Sequence, residues 1–173
     1  MSALLRMSHT EHRAQAPAVI RCAILTVSDT RTEATDTGGA AIVSLLEAAG
    51  HVVIGKSIVR DEPAEVRAWI ERQVAADDAR ILITTGGTGI TARDGTFEVA
   101  SALIEKPLPG FGELFRMLSY QEIGAAAMLS RACAGRVGRA ILVCLPGSEH
   151  AVRLAVEKLL LPELGHLVRE ATR

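Results

Sequence analysis

The sequence predicts an α/β chain, a three-layer α/β/α arrangement on a mostly parallel sheet, and three observations carry that expectation. Four short apolar runs rich in β-branched residues, 19–27, 52–59, 81–85 and 140–145, each read as a strand. Stretches with apolar residues at helical spacing follow them, and alternating strands and helices favour right-handed crossovers and parallel pairing. Each run also ends in a polar or glycine-containing turn: Ser28-Asp29, Arg60-Asp61, Gly86 to Gly89, and Pro146-Gly147-Ser148. In a parallel sheet all four turns share the carboxyl edge, where open α/β folds bind their ligands.

Taken in order, residues 1–18 lack periodicity and are expected to form a flexible arm, leaving 19–173 as one domain. The first strand, 19–27, runs into Ser28-Asp29-Thr30-Arg31, which is either a self-capping loop or part of a site. Asp36-Thr37-Gly38-Gly39 opens a helix in which Ile42, Leu45, Leu46 and Ala49 recur at helical spacing before Gly50 ends it. Free N–H groups at a helix start can receive an anion, so Asp36 and Gly38 are either caps or a pocket rim. After the second strand, Arg60-Asp61-Glu62-Pro63 marks another helix start, with Val66, Trp69, Ile70 and Val74 as its buried stripe. Asp61 there fits a helix cap as well as a site residue.

Beyond the third strand, Thr96 as cap and Phe97, Val99, Ala100, Leu103 and Ile104 predict a helix that stops at Pro107-Leu108-Pro109-Gly110. The next pattern sets Phe111, Leu114, Phe115 and Leu118 on one face, suited to the core or a subunit interface. The last strand leads into a helix over 149–161, and Pro162 and Gly165 are expected to break or bend it before a short terminal helix.

Composition excludes several classes. With 49% apolar and 23% charged residues, wholesale disorder is ruled out. A net charge of −1 with one Trp, one Tyr and three Phe supplies neither the basic footprint nor the stacking platform of a nucleic-acid binder. Cys22, Cys133 and Cys144 lack C-x-x-C spacing and read as buried reduced thiols, and no two histidines stand at i, i+4 to suggest zinc. No apolar run reaches the roughly 18 residues of a membrane span, and the charged N-terminus is unlike a signal peptide, so a cytoplasmic protein is expected.

The richest stretch is 80–98, RILITTGGTGITARDGTFE. Gly86, Gly87 and Gly89 let the backbone turn tightly and bring its N–H groups to a ligand, most simply a phosphate. Gly87 to Ala92 formally matches G-x-G-x-x-A, but Asp94-Gly95 interrupts the helix start and Pro107-Leu108-Pro109-Gly110 stands where a strand ending in an acid should follow. No Lys-Ser/Thr follows the glycines, which argues against a Walker-type loop. Asp61 and Asp94 both close βα junctions, and paired carboxylates beside a phosphate loop suggest Mg²⁺. Ser130-Arg131 pairs a hydroxyl with a fixed cation and suits a phosphate. With no Cys or Ser flanked by an evident base, transfer at phosphorus fits better than covalent catalysis.

Several of these motifs, taken in order, resemble the MoaB/Mog family of molybdenum-cofactor biosynthesis, in its MoaB branch: ILTVSDTR (24–31), TTGGTGITARD (84–94), PGFGELFR (109–116), Ser119 with Glu122-Ile123-Gly124, Leu129-Ser130-Arg131 and Pro146-Gly147-Ser148. The resemblance covers about residues 20–170 and implies a molybdopterin-binding domain that assembles as a trimer or hexamer. It implies a molybdopterin adenylyltransferase that takes ATP and molybdopterin as substrates with Mg²⁺ and releases pyrophosphate, with other molybdenum-cofactor enzymes as partners. By position it places the pterin and its phosphate at Gly86, Gly87, Thr88, Gly89, Ser119, Ser130 and Arg131. It places catalysis and magnesium at Asp61 and Asp94, and the nucleotide at Ser28, Asp29, Asp36, Gly38, Pro146, Gly147 and Ser148. Phe97 stands where catalytic members of the family more often carry proline, and Gly95 loosens the same turn. A non-catalytic molybdopterin-binding protein is therefore the alternative, and an oxidoreductase using the G-x-G-x-x-A loop a remote one.

Overall fold

A computed structural model describes residues 17–173, so the arm expected over 1–18 lies outside the described residues except for its last two positions. Six strands form one mixed sheet in the order β2 (Val52–Val59), β1 (Arg21–Val27), β3 (Ile81–Thr85), β6 (Ala140–Leu145), β5 (Cys133–Val137), β4 (Lys106–Pro107). The four expected strands are its parallel part. The order runs from β1 outward to β2 on one side and to β3 on the other, so the switch point of the topology lies between the ends of β1 and β3.

Parallel strands covered on both faces must be apolar on both faces. The central strands obey this and sort their side chains with a period of two. Cys22, Ile24, Ile81, Ile83, Val143 and Leu145 join the core beneath α1 (Thr37–Ala48), α4 (Pro109–Ile123) and the C-terminal helices. Ala23, Leu25, Leu82, Leu142 and Cys144 join the core beneath α2 (Pro63–Ala76) and α3 (Thr96–Leu103). Phe115 is fully buried, with Phe111 stacked on it at 6.5 Å, whereas Leu114 remains 48% exposed.

Three expectations need correction. The sheet has two further strands, β5 antiparallel to β6 across the tight turn Gly138-Arg139, and β4 antiparallel to β5. Thr96 does not cap α3: Gly95 is the N-cap and Thr96 the first helical residue. Pro162 does not break the C-terminal helix. From α5 (Glu149–Ala155) the chain widens into a π turn over Val156–Leu160 and continues as α6 (Leu161–Thr172), which runs through Gly165 and is not short. Proline has no N–H to offer and its ring crowds the carbonyl four residues back, so the preceding turn opens by one residue instead of the helix ending.

No helix among the described residues is long and apolar enough to cross a membrane. Leu82, fully buried on central strand β3, has no room to be replaced by rearrangement. Leu82→Ala should lower unfolding stability by about 2–5 kcal/mol in urea denaturation with an unchanged m-value.

Candidate active site

The β3 strand delivers its last residue, Thr85, to the carboxyl edge, and the backbone then reverses through Gly86 and Gly87 at φ +98° and +63°. These are left-handed conformations that only glycine adopts without strain. Space is the second reason. A Cβ at Gly86 would lie 2.2 Å from the Val27 carbonyl oxygen, and one at Gly87 would lie 2.2 Å from Thr96 Oγ1 and 2.7 Å from the nearer Asp61 carboxylate oxygen. The Gly86 N–H is bound to the Leu145 carbonyl at 3.1 Å, and the Gly87 carbonyl accepts from Thr96 N–H at 2.9 Å, so the loop is pinned at both ends.

Asp61 is not a helix cap. Glu62 is the N-cap of α2, and the Asp61 carboxylate turns instead toward Gly87. Its Oδ1 is buried without a partner, and so is Thr96 Oγ1, which faces the same side of Gly87. Burial first, then the nearby carboxylates of Asp94 and Asp29, push the Asp61 carboxyl above the usual range, partly offset by Arg93 and the Gly95 N–H. Asp94 reaches the same loop from its far end, where a Cβ on Gly89 would fall 2.6 Å from the Asp94 carboxylate. It accepts from the Thr91 hydroxyl at 2.6 Å and the Thr91 N–H at 3.0 Å, which hold its carboxyl below the usual range. The two aspartates therefore converge on one glycine loop.

An ion-pair network holds this arrangement. Arg93 donates to Asp29 at 2.8 and 3.1 Å and to Glu62 at 3.1 Å, tying together the turns after β1, β2 and β3. Asp29 also accepts the Asp61 N–H at 3.2 Å, which aims the Asp61 backbone. Arg131 packs 4.8 Å above the Phe97 ring and donates to the carbonyls of Thr88 (2.9 Å) and Gly89 (2.7 Å) while pairing with Glu98. Its guanidinium braces the loop from behind, with most of its donors occupied.

The remaining candidates separate into two groups. Ser28, Gly147, Gly86 and Asp36 line a cavity of about 90 Å³ at the switch point, together with Thr26, Thr85 and Arg31. Pro146 closes that side by accepting from Thr85 Oγ1 at 2.9 Å, Gly38 approaches the Gly147 carbonyl, and Ser148 caps α5. Asp36 is spent within the fold: it caps α1 through Gly39 N–H (2.9 Å), accepts from Thr26 Oγ1 (2.8 Å) and pairs with Lys56 (2.9 Å). Ser119 is buried on α4 at 4% exposure, and Ser130 ends a 3₁₀ turn; neither hydrogen bonds to the glycine loop among the described residues.

Sequence reasoning gave no role to Arg93, Glu98 or Lys56 and took Arg31 only as part of the polar cluster after β1. Arg31 lines the cavity, its N–H and that of Thr30 bind Ser28 Oγ, and of the rim arginines Arg31, Arg60, Arg93 and Arg131 it is the one with no carboxylate partner among the described residues. The signal for it was present as the last residue of the polar cluster after β1.

Two carboxylates flanking a phosphate-sized loop, one with an orphaned buried oxygen, fit magnesium, which takes one or two protein carboxylates and completes its shell with phosphates and water. No group of three or more His, Cys, Asp or Glu placed to hold a metal ion occurs among the described residues. The class is thus an open α/β fold with a polar ligand cleft at its switch point. The chain belongs to the family described as "Probable molybdopterin binding domain", whose profile matches residues 23–166. It is 51% identical over 168 residues to the "Molybdenum cofactor biosynthesis protein B" of Bacillus cereus, covering 96% of this chain and 99% of that one. A crystal structure of a "Molybdenum cofactor biosynthesis protein B" superposes with a TM-score of 0.87 at 51% identity, covering 91% of this chain and 98% of the other. The "tungsten cofactor synthesizing protein MoaB" from Pyrococcus furiosus gives 0.82 at 35% identity, over 91% and 100%.

The raised Asp61 carboxyl has a consequence for stability. A folded-state value above the unfolded one means that ionising Asp61 costs stability as pH rises through and beyond about 4, the reverse of Asp29 and Asp94, whose lowered values favour the fold above that pH. Asp61→Asn should therefore raise the melting temperature of the ligand-free protein at pH 7 and lose that advantage near pH 3. An equal or lower melting temperature at pH 7 would contradict the assignment.

Proposed function

We propose that this chain works in molybdenum-cofactor biosynthesis as a molybdopterin adenylyltransferase. The observation that carries the reading is the convergence of Asp61 and Asp94 on the Gly86 to Gly89 loop, with Asp61 Oδ1 buried and unpartnered. Family membership and the names of the relatives support the pathway. The two-sided rim supports a reaction between two phosphate-bearing substrates, the terminal phosphate of molybdopterin at the Thr88 side and ATP at the switch-point cavity lined by Ser28, Arg31 and Gly147.

A molybdopterin phosphate oxygen would attack the α-phosphorus of ATP in line. As that bond forms, the bond from the α-phosphorus to the bridging oxygen breaks and pyrophosphate leaves. The chain's part is positioning and charge. Loop amides of Gly87 to Gly89 would orient the attacking phosphate, Arg31 would bind the outer phosphates of ATP, and Asp61 and Asp94 would hold the magnesium. That ion, when bound, neutralises charge on the leaving group. Arg93 and Asp29 keep Asp61 aimed, so little reorganisation accompanies the reaction.

The binding-module alternative is favoured by one observation: Asp94 already serves as the acceptor that closes the Thr91–Asp94 turn. Asn at either position keeps an acceptor and removes the charge, which separates the two. The exposed stripe Leu114, Met117, Tyr120 and Ile123 on α4 supports the oligomer that the resemblance implies.

The test is pyrophosphate release from Mg-ATP in the presence of molybdopterin. Asp61→Asn and Asp94→Asn should each lower it by about 10²–10³-fold while pterin affinity stays within about threefold. Tight pterin binding by the wild type without pyrophosphate release would favour the binding module. Arg31→Ala should raise KM for Mg-ATP about tenfold with kcat nearly unchanged, the signature of a contact made equally in ground and transition states.

A further inference from the structure

On the antiparallel side of the sheet, Cys133 opens β5 and stands directly opposite Cys144 of β6. Directly opposed residues on an antiparallel pair project from the same face with Cβ atoms about 4.5–5.5 Å apart, close to the separation a disulfide requires. Both side chains belong to the core on the same face, beneath α2 and α3. Their surroundings differ in a useful way. Cys144 is fully buried, whereas Cys133 is half-buried and lines a cavity of about 140 Å³ with Ser101, Ile104 and Pro107. Its sulfur lies 3.8 Å from Oγ of the exposed Ser101, so a small reagent reaches it without unfolding.

The charge around the pair adds to this. The neighbouring Cys144 thiol, the Ser101 hydroxyl and the Arg131 guanidinium hold Cys133 below the ordinary thiol range against the effect of burial, while the nearby Cys133 and burial push Cys144 up. Cys22 contrasts with both. It is fully buried on β1, its sulfur faces the Ile20 carbonyl, and burial pushes its thiol to about 12.

We propose that Cys133 and Cys144 form a dithiol oxidised by hydroperoxides, with Cys133 attacking and Cys144 resolving. The Cys133 thiolate attacks the peroxide, the O–O bond breaks, and Cys133 becomes a sulfenic acid while the other oxygen leaves as water or an alcohol. The Cys144 sulfur then attacks the sulfenyl sulfur. An S–S bond forms, the S–O bond breaks, and the oxygen departs as water with the Cys144 proton. The two thiols give up two electrons, and the peroxide accepts them. This chemistry makes no use of the rim carboxylates, so it stands apart from the adenylyl-transfer reading.

The test uses the whole folded chain exposed to hydrogen peroxide, quenched, denatured and counted for thiols. The count should fall from three to one, with Cys22 as the survivor. Intact mass should fall by about 2 Da, peptide mapping should join Cys133 to Cys144, and dithiothreitol should restore both thiols. Cys133→Ser should keep its two remaining thiols under the same exposure, and Cys144→Ser should stop at a sulfenic acid that dimedone traps. Three thiols surviving while free cysteine in the same tube is oxidised would overturn the proposal. So would a gain of about 16 Da per step at Cys133 without a disulfide, or a bond between two chains. Because the wild-type map alone decides between these outcomes, a variant that fails to fold does not blunt the test.

Discussion

A carboxylate held against bare glycine backbone, with one buried oxygen unanswered, is the constraint around which the rim of this protein is built. Leaving a buried acceptor without a donor costs about 1–3 kcal/mol, and two further carboxylates nearby make Asp61 less comfortable still. The fold must therefore over-determine its position. Asp29 fixes its backbone N–H, Arg93 spans Asp29 and Glu62, and Gly87 leaves no Cβ where the carboxylate must lie. Strain of this kind is retained where a ligand later relieves it.

The same logic explains the loop's other supports. Gly86 and Gly87 supply conformations that no other residue adopts freely, but flexibility alone would leave the loop amides unaimed. Arg131 prevents that by taking the Thr88 and Gly89 carbonyls, which fixes those peptide planes. Phe97 is not idle: it gives the guanidinium a face to stack on, a contact worth about 0.5–1 kcal/mol.

Much of this was legible in the sequence because parallel strands buried on both faces write continuous apolar runs. β2, β3 and β6 fall where 52–59, 81–85 and 140–145 placed them, and the four polar turns share one edge. The antiparallel edge was harder to read. β5 carries Gly135 and Arg136 inside a short segment, β4 contains a proline, and their pairing depends on tertiary contact more than on pattern, so neither strand nor the hairpin at Gly138-Arg139 was read from the sequence. At the rim, residue types marked turns that the fold brings to one edge without revealing who meets whom. Ser130-Arg131 looked like a phosphate pair, yet Arg131 faces Glu98 and two carbonyls, and Asp36, read as either a cap or a rim residue, is both, with its carboxylate also claimed by Lys56 from β2. Long-range partners of charged side chains leave no trace in local spacing.

The central claim is that Asp61 is an ill-satisfied carboxylate waiting for a cation, and carbon-13 NMR of its side-chain carboxyl through a pH titration tests it most directly. Alone, Asp61 should titrate above the ordinary aspartate range; with magnesium and a non-hydrolysable ATP analogue added, its midpoint should drop below that range. An Asp61 that titrates like a free aspartate, and does so identically with and without the magnesium complex, would contradict the account.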